Sequence, residues 1–543
     1  HVLDQRRAVG QLAGHQLRLR LEDVDVALRP VPPRTTNGTA MPLFLSDAAV
    51  ITMDPVSGAV PITASIRIVD ELIVGIGPGL VPEPGDEVID GRDRLVLPGF
   101  VNAHTHSWEY LYKGRYDNLP LELWMLLSYP ILGNSRVAPD LVRLRSSLFA
   151  LESLKAGVTT LVDDVLENPD QDAEQLAAVF DAYDEIGVRA NISGHVISRP
   201  FHETMPFLEE YVPAEILDQA RSASRPTTEG YLAFSREAFA TQHGRGGGRL
   251  RYMVAPSAPQ RCGPELLVGA TELALEHGAE CHIHVLETKT QLVTGELSYG
   301  STLVEYMDRI GALSPNTTFA HGIWLTDSDM ERIAAAGTSV SHNPISNLKL
   351  GSGIAPWRAL HDAGVNLGLG TDGCSSSDSP RMLDVVKAAA LLHKVTDPDI
   401  ATWPTVSEVL TAGTIGGARS AVLDDVTGSI EVGKQADLVV YDLETLNFTP
   451  RQRLENQLVY SENGSSIDTV IVAGRVVVSK GVSTTVDEAA LRGDLAAQLG
   501  EIVAWQDSLD RTNGVLTEPF RRMYERAMRH DTPVDRFSGR RLV

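Results

Sequence analysis

Cysteine is nearly absent from this sequence. Cys262, Cys281 and Cys374 are the only three in 543 residues, scattered and without a Cys-x-x-Cys pair. An odd, dispersed set excludes a disulfide framework and a thiolate zinc site, and it fits a reducing compartment, the cytoplasm. Long apolar runs are missing too, since none approaches the ~18 residues that suggest a membrane span. Positive charge is in deficit: 47 Lys and Arg stand against 71 Asp and Glu, a formal net charge of −24. Nucleic acid and anionic membrane both need a positive footprint, so neither is expected as the main partner. The expected partner is a small-molecule substrate, and the expected assembly is a homo-oligomer, a dimer or larger.

The first forty residues differ from the rest. Arg6, Arg7, Arg18 and Arg20 sit among short apolar patches that lack the continuous core of a signal peptide. Pro30, Pro32, Pro33, Thr35, Thr36, Asn37 and Gly38 then lead to Met41. Met41 is the expected native start, and residues 1–40 are expected to be an extension, native or not, outside the fold.

Residues 41–97 read as short strands broken by turns at Asp54-Pro55, Pro78-Gly79 and Pro84-Gly85. Residues 428–482 read the same way, with β-rich runs at Ala436–Tyr441 and Thr469–Val478. The two blocks are expected to pair into one small β-sandwich domain made from both ends. Between them, over residues 98–427, helix and strand alternate. Helical stretches at 140–156, 173–186, 264–277, 327–335 and 356–363 precede strands at 158–163, 189–197, 280–286, 339–343 and 366–370. Such alternation over some 300 residues argues for a parallel α/β core. A distorted (β/α)8 barrel fits that span better than two open sheets. Residues 483–543 turn helical again, with an Arg-rich end expected to pack on the barrel or on a neighbouring subunit.

The chemistry lies at strand ends. Leu97-Pro98-Gly99-Phe100-Val101-Asn102-Ala103-His104-Thr105-His106 is an apolar strand ending in two histidines two residues apart, which share one face. An HxH alone is weak evidence, but barrels place their sites at the ends of parallel strands. His282-Ile283-His284-Val285-Leu286-Glu287 repeats the pattern and adds a carboxylate, as a water-activating metal site requires. His282 reads better as packed in the barrel interior. Thr317–His321 ends a strand in a third position, and Leu367–Asp372 ends one in an aspartate. Three histidines and one aspartate make a zinc- or iron-type ligand set with a position left for water.

These motifs, PGFVNAHTH, HxxE, AHG and GTDG in this order, resemble the amidohydrolase superfamily. They are similar to its branch of cytosine and guanine deaminases, S-adenosylhomocysteine deaminases and triazine hydrolases. Ser341-His342-Asn343-Pro344 and Gly428–Leu438 extend the resemblance, which covers residues 41–481. It implies one divalent ion, zinc in the first place and iron as the alternative, held by His104, His106, His284 and Asp372. It implies that His321 holds the water or the tetrahedral oxygen. Superfamily members with two metals bridge them with a carbamylated lysine on a barrel strand. Lys155 falls in a helical stretch instead, so one metal is expected. Asp372 takes the water's proton, and Glu287 protonates a ring nitrogen and then the leaving amine.

Specificity belongs to the loops. Trp108 and Glu109 stand to stack on or hydrogen-bond a flat ring, the alternatives being loop packing for Trp108 and a solvated Glu109. Asn118–Trp124 resembles the branch's DDLPLxxW stretch and leads a helix expected to cap the pocket. Adenosine-type relatives tend to carry PHAPY(T/S)C, whose histidine contacts ribose. This chain has Pro256-Ser257-Ala258-Pro259-Gln260-Arg261-Cys262, which argues against a nucleoside. Gln260 is expected either to read an amide or ring-nitrogen edge or to serve loop structure. Arg199 and His202 stand to meet substrate, a surface ion pair being the alternative for Arg199. Cys374 is expected to shape the rim without acting as a nucleophile. The expected reaction is hydrolysis of a C–N bond on an amino-substituted heterocycle, releasing ammonia or an amine. The alternatives are a triazine-type chlorohydrolase, a cyclic amide hydrolase, and an inactive barrel with a role in assembly.

Overall fold

A computed structural model gives the fold and describes residues 41–167 and 172–537. The expectations for residues 1–40, and for Arg540 and Arg541 at the chain end, lie outside the described residues.

The chain opens with β1 (Leu43–Val50), β2 (Ile62–Val69), β3 (Leu72–Gly77), β4 (Glu87–Asp90) and β5 (Arg94–Pro98). It then enters a second sheet through β6 (Phe100–His106), β7 (Val158–Asp163), β8 (Arg189–Val196) and β9 (Leu250–Pro256). That sheet continues with β10 (Cys281–Val285), β11 (Thr317–His321), β12 (Ser339–His342), β13 (Leu367–Leu369) and β14 (Asp372–Gly373). The chain returns to the first sheet with β15 (Leu438–Asp442), β16 (Ile467–Val472), β17 (Arg475–Ser479) and β18 (Val482–Ser483).

Strands β6 to β13 lie side by side in chain order, all parallel. β14 pairs in parallel with β6 at the opposite edge. The eighth strand is therefore split, its first half bonded to β12 and its second to β6, and the sheet closes as a distorted (β/α)8 barrel. The break falls at Gly370 and Thr371. A Cβ on Gly370 would lie 2.5 Å from Asn343 Oδ1 and 2.8 Å from the His104 carbonyl, so the crossing needs glycine. Asn102 stitches it, accepting from Thr371 N at 2.9 Å and donating to Thr371 Oγ1 at 2.7 Å. The strand expected at 366–370 is shorter for this reason.

The terminal sheet joins the two chain ends where β15 runs antiparallel to β5, Leu438 opposite Pro98 and Tyr441 opposite Leu95. Alternation sorts its side chains. Val96, Leu438, Val440 and Ile471 bury into the sheet's own core with Leu45, Ile66 and Ile68. Leu95, Leu97, Val439, Tyr441, Val470 and Val472 face the barrel. The β-rich run at Thr469–Val478 is a hairpin, because Ala473 (φ 46°) and Gly474 (φ 73°) make a two-residue turn of the hand that suits twisted strands.

A buried ion pair pins the two sheets. Arg189 Nε donates to Asp437 Oδ2 at 2.6 Å and Nη2 to Oδ1 at 3.0 Å. Removing one partner leaves the other charge buried and alone, which costs about 3–5 kcal/mol. Arg189→Met is expected to lower the unfolding free energy by about that amount, read as a lower urea midpoint at unchanged slope.

Past β18 the chain forms the helices Glu488–Asn513 and Thr517–Arg529. The latter packs on Leu121–Ser128 and Lys289–Tyr299, burying Phe520 and Met523 beside Leu126 and Leu208. The basic tail thus packs on the barrel, one of the two surfaces expected of it. Among the described residues no helix is long and apolar enough to cross a membrane.

Candidate metal centre

Each site residue comes from a strand end or the turn just past it, where parallel strands leave the barrel. β6 delivers His104 and His106, β10 delivers His284, β11 ends at His321 and β14 starts at Asp372. Leu286 (φ 51°), His321 (φ 77°) and Asp372 (φ 60°) all adopt the left-handed region. Three such residues at one barrel mouth are strain held by the surrounding fold, at about 1–3 kcal/mol each.

Hydrogen bonds set the ring tautomers. His106 Nδ1 donates to the Asp164 carbonyl at 2.7 Å, and His284 Nδ1 to the Ser257 carbonyl at 2.8 Å. A carbonyl only accepts, so both neutral rings carry their proton on Nδ1 and leave Nε2 bare. His104 is fixed by a relay: its Nδ1 lies 2.8 Å from His282 Nε2, and His282 Nδ1 lies 2.8 Å from Glu280 Oε1. The Glu280 carboxylate accepts from His282, which then accepts from His104, and His104 Nε2 is left bare as well. That nitrogen is buried and has no hydrogen-bond partner.

The bare nitrogens converge. His106 Nε2 lies 3.3 Å from His284 Nε2, and both His104 Nε2 and His106 Nε2 lie 3.3 Å from Asp372 Oδ1. Lone pairs facing one another at that range repel unless a cation lies among them. The donor atoms of His104, His106 and His284 fall within one metal-sized cluster, as do those of His104, His321 and Asp372. The donor set therefore fits a divalent ion.

Burial and charge act together here. Burial drives the His104 imidazole down to about 3 and His284 well below its ordinary value. Burial also opposes charge on His106, but Asp372, Glu109 and Asp164 outweigh it and hold that ring at about 9, so this negative surround draws either a proton or a cation to His106 Nε2, and a bound cation leaves the ring neutral. Asp372 stays well below the carboxylate range, because the facing His104, His321 and His106 rings outweigh burial. Glu287 moves the other way: burial, then the negative charge of Asp372, pushes it well up. Burial thus favours its acid form. Its Oε2 faces His321 Nε2 at 3.6 Å.

A void of about 20 Å³ sits among these groups, room for about one water. Leu121, Trp124, Met125, Tyr129 and Arg261 form its outer wall. Met125, Tyr129 and Arg261 also line a neighbouring cavity of about 420 Å³. The helix Leu121–Ser128 caps the site, as expected of the stretch that leads to Trp124.

The expected substrate contacts fall out differently. Arg199 lines the larger cavity, where Nη1 donates to Tyr299 Oη at 2.8 Å. Trp108 packs edge-on against Tyr129 behind the void and does not line it. Glu109 is not solvated. It is fully buried beside His106 and Asp372, accepts from Ser375 N at 2.9 Å, and burial pushes it up to about 8. His202 and Gln260 are buried and line neither space. Cys374 lies in the hydrophobic core instead of the rim, and burial pushes its thiol well above the ordinary range.

Residues 95–477 match the Amidohydrolase family. This chain belongs to that family. Among curated relatives, a 5'-deoxyadenosine deaminase of Methanosarcina barkeri is 33% identical over 461 residues, covering 85% of this chain and 98% of the relative. A 5-methylthioadenosine/S-adenosylhomocysteine deaminase of Pelotomaculum thermopropionicum is 34% identical over 451 residues, covering 82% and 95%. A zinc-bound adenosine deaminase of Xanthomonas campestris superposes with a TM-score of 0.73 at 28% identity, covering 86% of this chain and 98% of that one. An atrazine chlorohydrolase of Arthrobacter aurescens, also with zinc, gives 0.75 at 23% identity over 84% and 100%, a likeness of fold alone.

The amidohydrolase is a hydrolase whose supporting shell was hard to see in sequence. Asp164 and Asn347 each orient a site histidine from another part of the chain, and Glu280, two residues before it, orients His282. The local signals were the Asp163-Asp164 pair at the end of β7 and the Glu280-Cys281-His282 run. His282 is buried in the barrel interior, as expected, and there it also accepts from His104. Outer partners of ligand histidines are worth about 10–100-fold in metal affinity. His282→Leu is expected to weaken binding of a divalent ion by about that factor in a chelator competition titration.

Proposed function

We propose that this amidohydrolase is a zinc-dependent aminohydrolase that removes an amino group, as ammonia, from an amino-substituted nitrogen heterocycle. The observation that carries the reading is the cluster of His104, His106 and His284 ring nitrogens beside the Asp372 carboxylate, with Glu287, whose carboxyl burial pushes up, across a void that His106, His284 and Asp372 line. His104, His106, His284 and Asp372 would hold the ion. When bound, it supplies the lowering of a water's pKa toward ~7. Three nitrogens and one oxygen suit zinc, and the Xanthomonas campestris protein binds zinc. A single ion is favoured because Lys155 ends a helix and bonds Glu488 at 2.5 Å.

The protein's own groups move the protons. Asp372 accepts the first proton of the water, its carboxylate held by Gly373 N at 2.9 Å and by Ser346 Oγ. His321 donates through Nδ1 to Asn347 Oδ1 at 2.9 Å. Its Nε2 is free to accept from the water and hold it for attack. Glu287 gives its proton to a ring nitrogen, which leaves the adjacent carbon electron-poor. The proton collected at Asp372 passes to the amine, which leaves as ammonia. The remaining hydroxyl proton restores Glu287 as the carbonyl closes.

An amine needs an acid to leave and chloride does not, and the proton collected at Asp372 supplies that acid, which favours deamination over dechlorination. The intact donor set supports a working enzyme over an inactive barrel. The named activities of the relatives put adenosine derivatives first among candidates, against the expectation drawn from Ser257, which stands where adenosine-type relatives tend to carry a ribose-contacting histidine. Zinc-loaded protein incubated with an adenosine derivative, an aminopyrimidine, an aminopterin and an aminotriazine is expected to release ammonia from at least one. Chloride release from a chlorotriazine, with no ammonia from any amine, would contradict the proposal.

A further inference from the structure

We propose that Arg261 is a specificity residue that recognises a negatively charged oxygen, of the carboxylate class, on the substituent of the heterocycle. The proposal rests on the aminohydrolase reading and adds to it the chemistry of the substrate beyond the reacting ring.

Three arginines of the described chain are buried: Arg145, Arg189 and Arg261. Arg145 is paired with Glu167 and Arg189 with Asp437. Arg261 has no carboxylate within 4.0 Å among the described residues. Its guanidinium donates from Nη1 to Ser257 Oγ at 3.2 Å and from Nη2 to Met125 Sδ at 2.9 Å. A hydroxyl and a thioether are neutral, and the thioether is a weak acceptor. A buried cation so poorly compensated is costly, and a planar guanidinium is suited to a carboxylate.

Position says where that partner comes from. Arg261 lines both the void at the donor set and the larger cavity beyond it, so it stands in the passage between them. The void of about 20 Å³ holds no aromatic ring. Seating a ring there displaces the outer wall, of which Met125 is the flexible member. Moving Met125 removes one of the two acceptors of Arg261 at the moment substrate arrives. A charged oxygen on the substrate takes its place.

The cavity's charge agrees. In a protein of net charge −24, its walls carry Arg225 and Arg261, and also Arg199, which pairs with Glu203 at 3.4 Å. The one carboxylate among them, Glu167, is already bound to Arg145. A positive cleft in a negative protein concentrates anions.

The test uses pairs of probes that differ in one charge: adenosine 5'-carboxylate against its 5'-carboxamide, and 4-aminopteridine-6-carboxylate against its 6-carboxamide. Binding to the zinc-loaded full chain is measured by calorimetry and turnover by ammonia release. In at least one pair the carboxylate is expected to bind about tenfold or more tightly. Arg261→Met is expected to bring that ratio near one with zinc content unchanged, and Arg261→Lys to restore part of it. A ratio near one in the wild type, a ratio that survives Arg261→Met, or binding of neither member of either pair overturns the proposal. Charge-selective binding without ammonia from any probe would count against the aminohydrolase reading and leave the anion site standing.

Discussion

Replacing Asp372 by alanine is expected to empty the metal centre and cut kcat/KM by more than about 10⁴-fold. Two losses combine. The carboxylate supplies the only oxygen of the proposed donor set and the negative charge that balances the ion. It is also the proposed acceptor of the water's proton, a role worth about 10²–10⁴-fold by itself. Its Oδ1 lies 3.3 Å from both His104 Nε2 and His106 Nε2, whereas the neighbouring Glu109 carboxylate clusters with His106 and Asp372. Elemental analysis of the purified variant should find little zinc, and ammonia release should be near background. A variant that keeps one zinc per chain and most of its rate would remove Asp372 from both roles.

Glu287→Gln separates proton transfer from metal binding. Glu287 is not among the proposed ligands, so zinc should remain at wild-type stoichiometry while kcat/KM falls by about 10²–10⁴-fold. The pH profile gives a second reading. Burial and the negative charge of Asp372 raise Glu287 well above the carboxylate range, and the acid form is the working one. Activity should therefore persist through neutral pH and decline as pH rises through that raised value. Asp372 must be ionised, and the surrounding histidines hold it well below the ordinary range, so the acid limb should appear only at low pH. The glutamine variant should lose the alkaline limb together with the rate. Full activity in Glu287→Gln with zinc bound would exclude the shuttle.

Much of the site was legible because each strand carries its own signal. An apolar run that ends in His104-Thr105-His106, in His284 or in Thr371-Asp372 can be read within ten residues, and the barrel brings those ends together. The helices Ala173–Ile186 and Pro264–His277 were equally plain, since capping and periodicity are local. The rest depends on contacts between distant segments. Nothing near His282 shows that it orients His104, 178 positions away. Burial decided Glu109, for which a ring contact and a solvated side chain had both stood open, and Cys374, which its place after Asp372 had put at the rim. Arg261 looked like one loop residue among several, and only the missing carboxylate partner sets it apart. The split eighth strand was invisible because Asn102, on the first strand, guides the crossing.

The central claim is that His104, His106, His284 and Asp372 share one cation. An anomalous difference map recorded at the zinc edge on crystals of the zinc-loaded protein tests it directly. The account predicts a single strong peak about 2.0–2.2 Å from the three Nε2 atoms and from a carboxylate oxygen of Asp372. Zinc bound elsewhere, or these imidazoles turned away from one another around an empty centre, would contradict it.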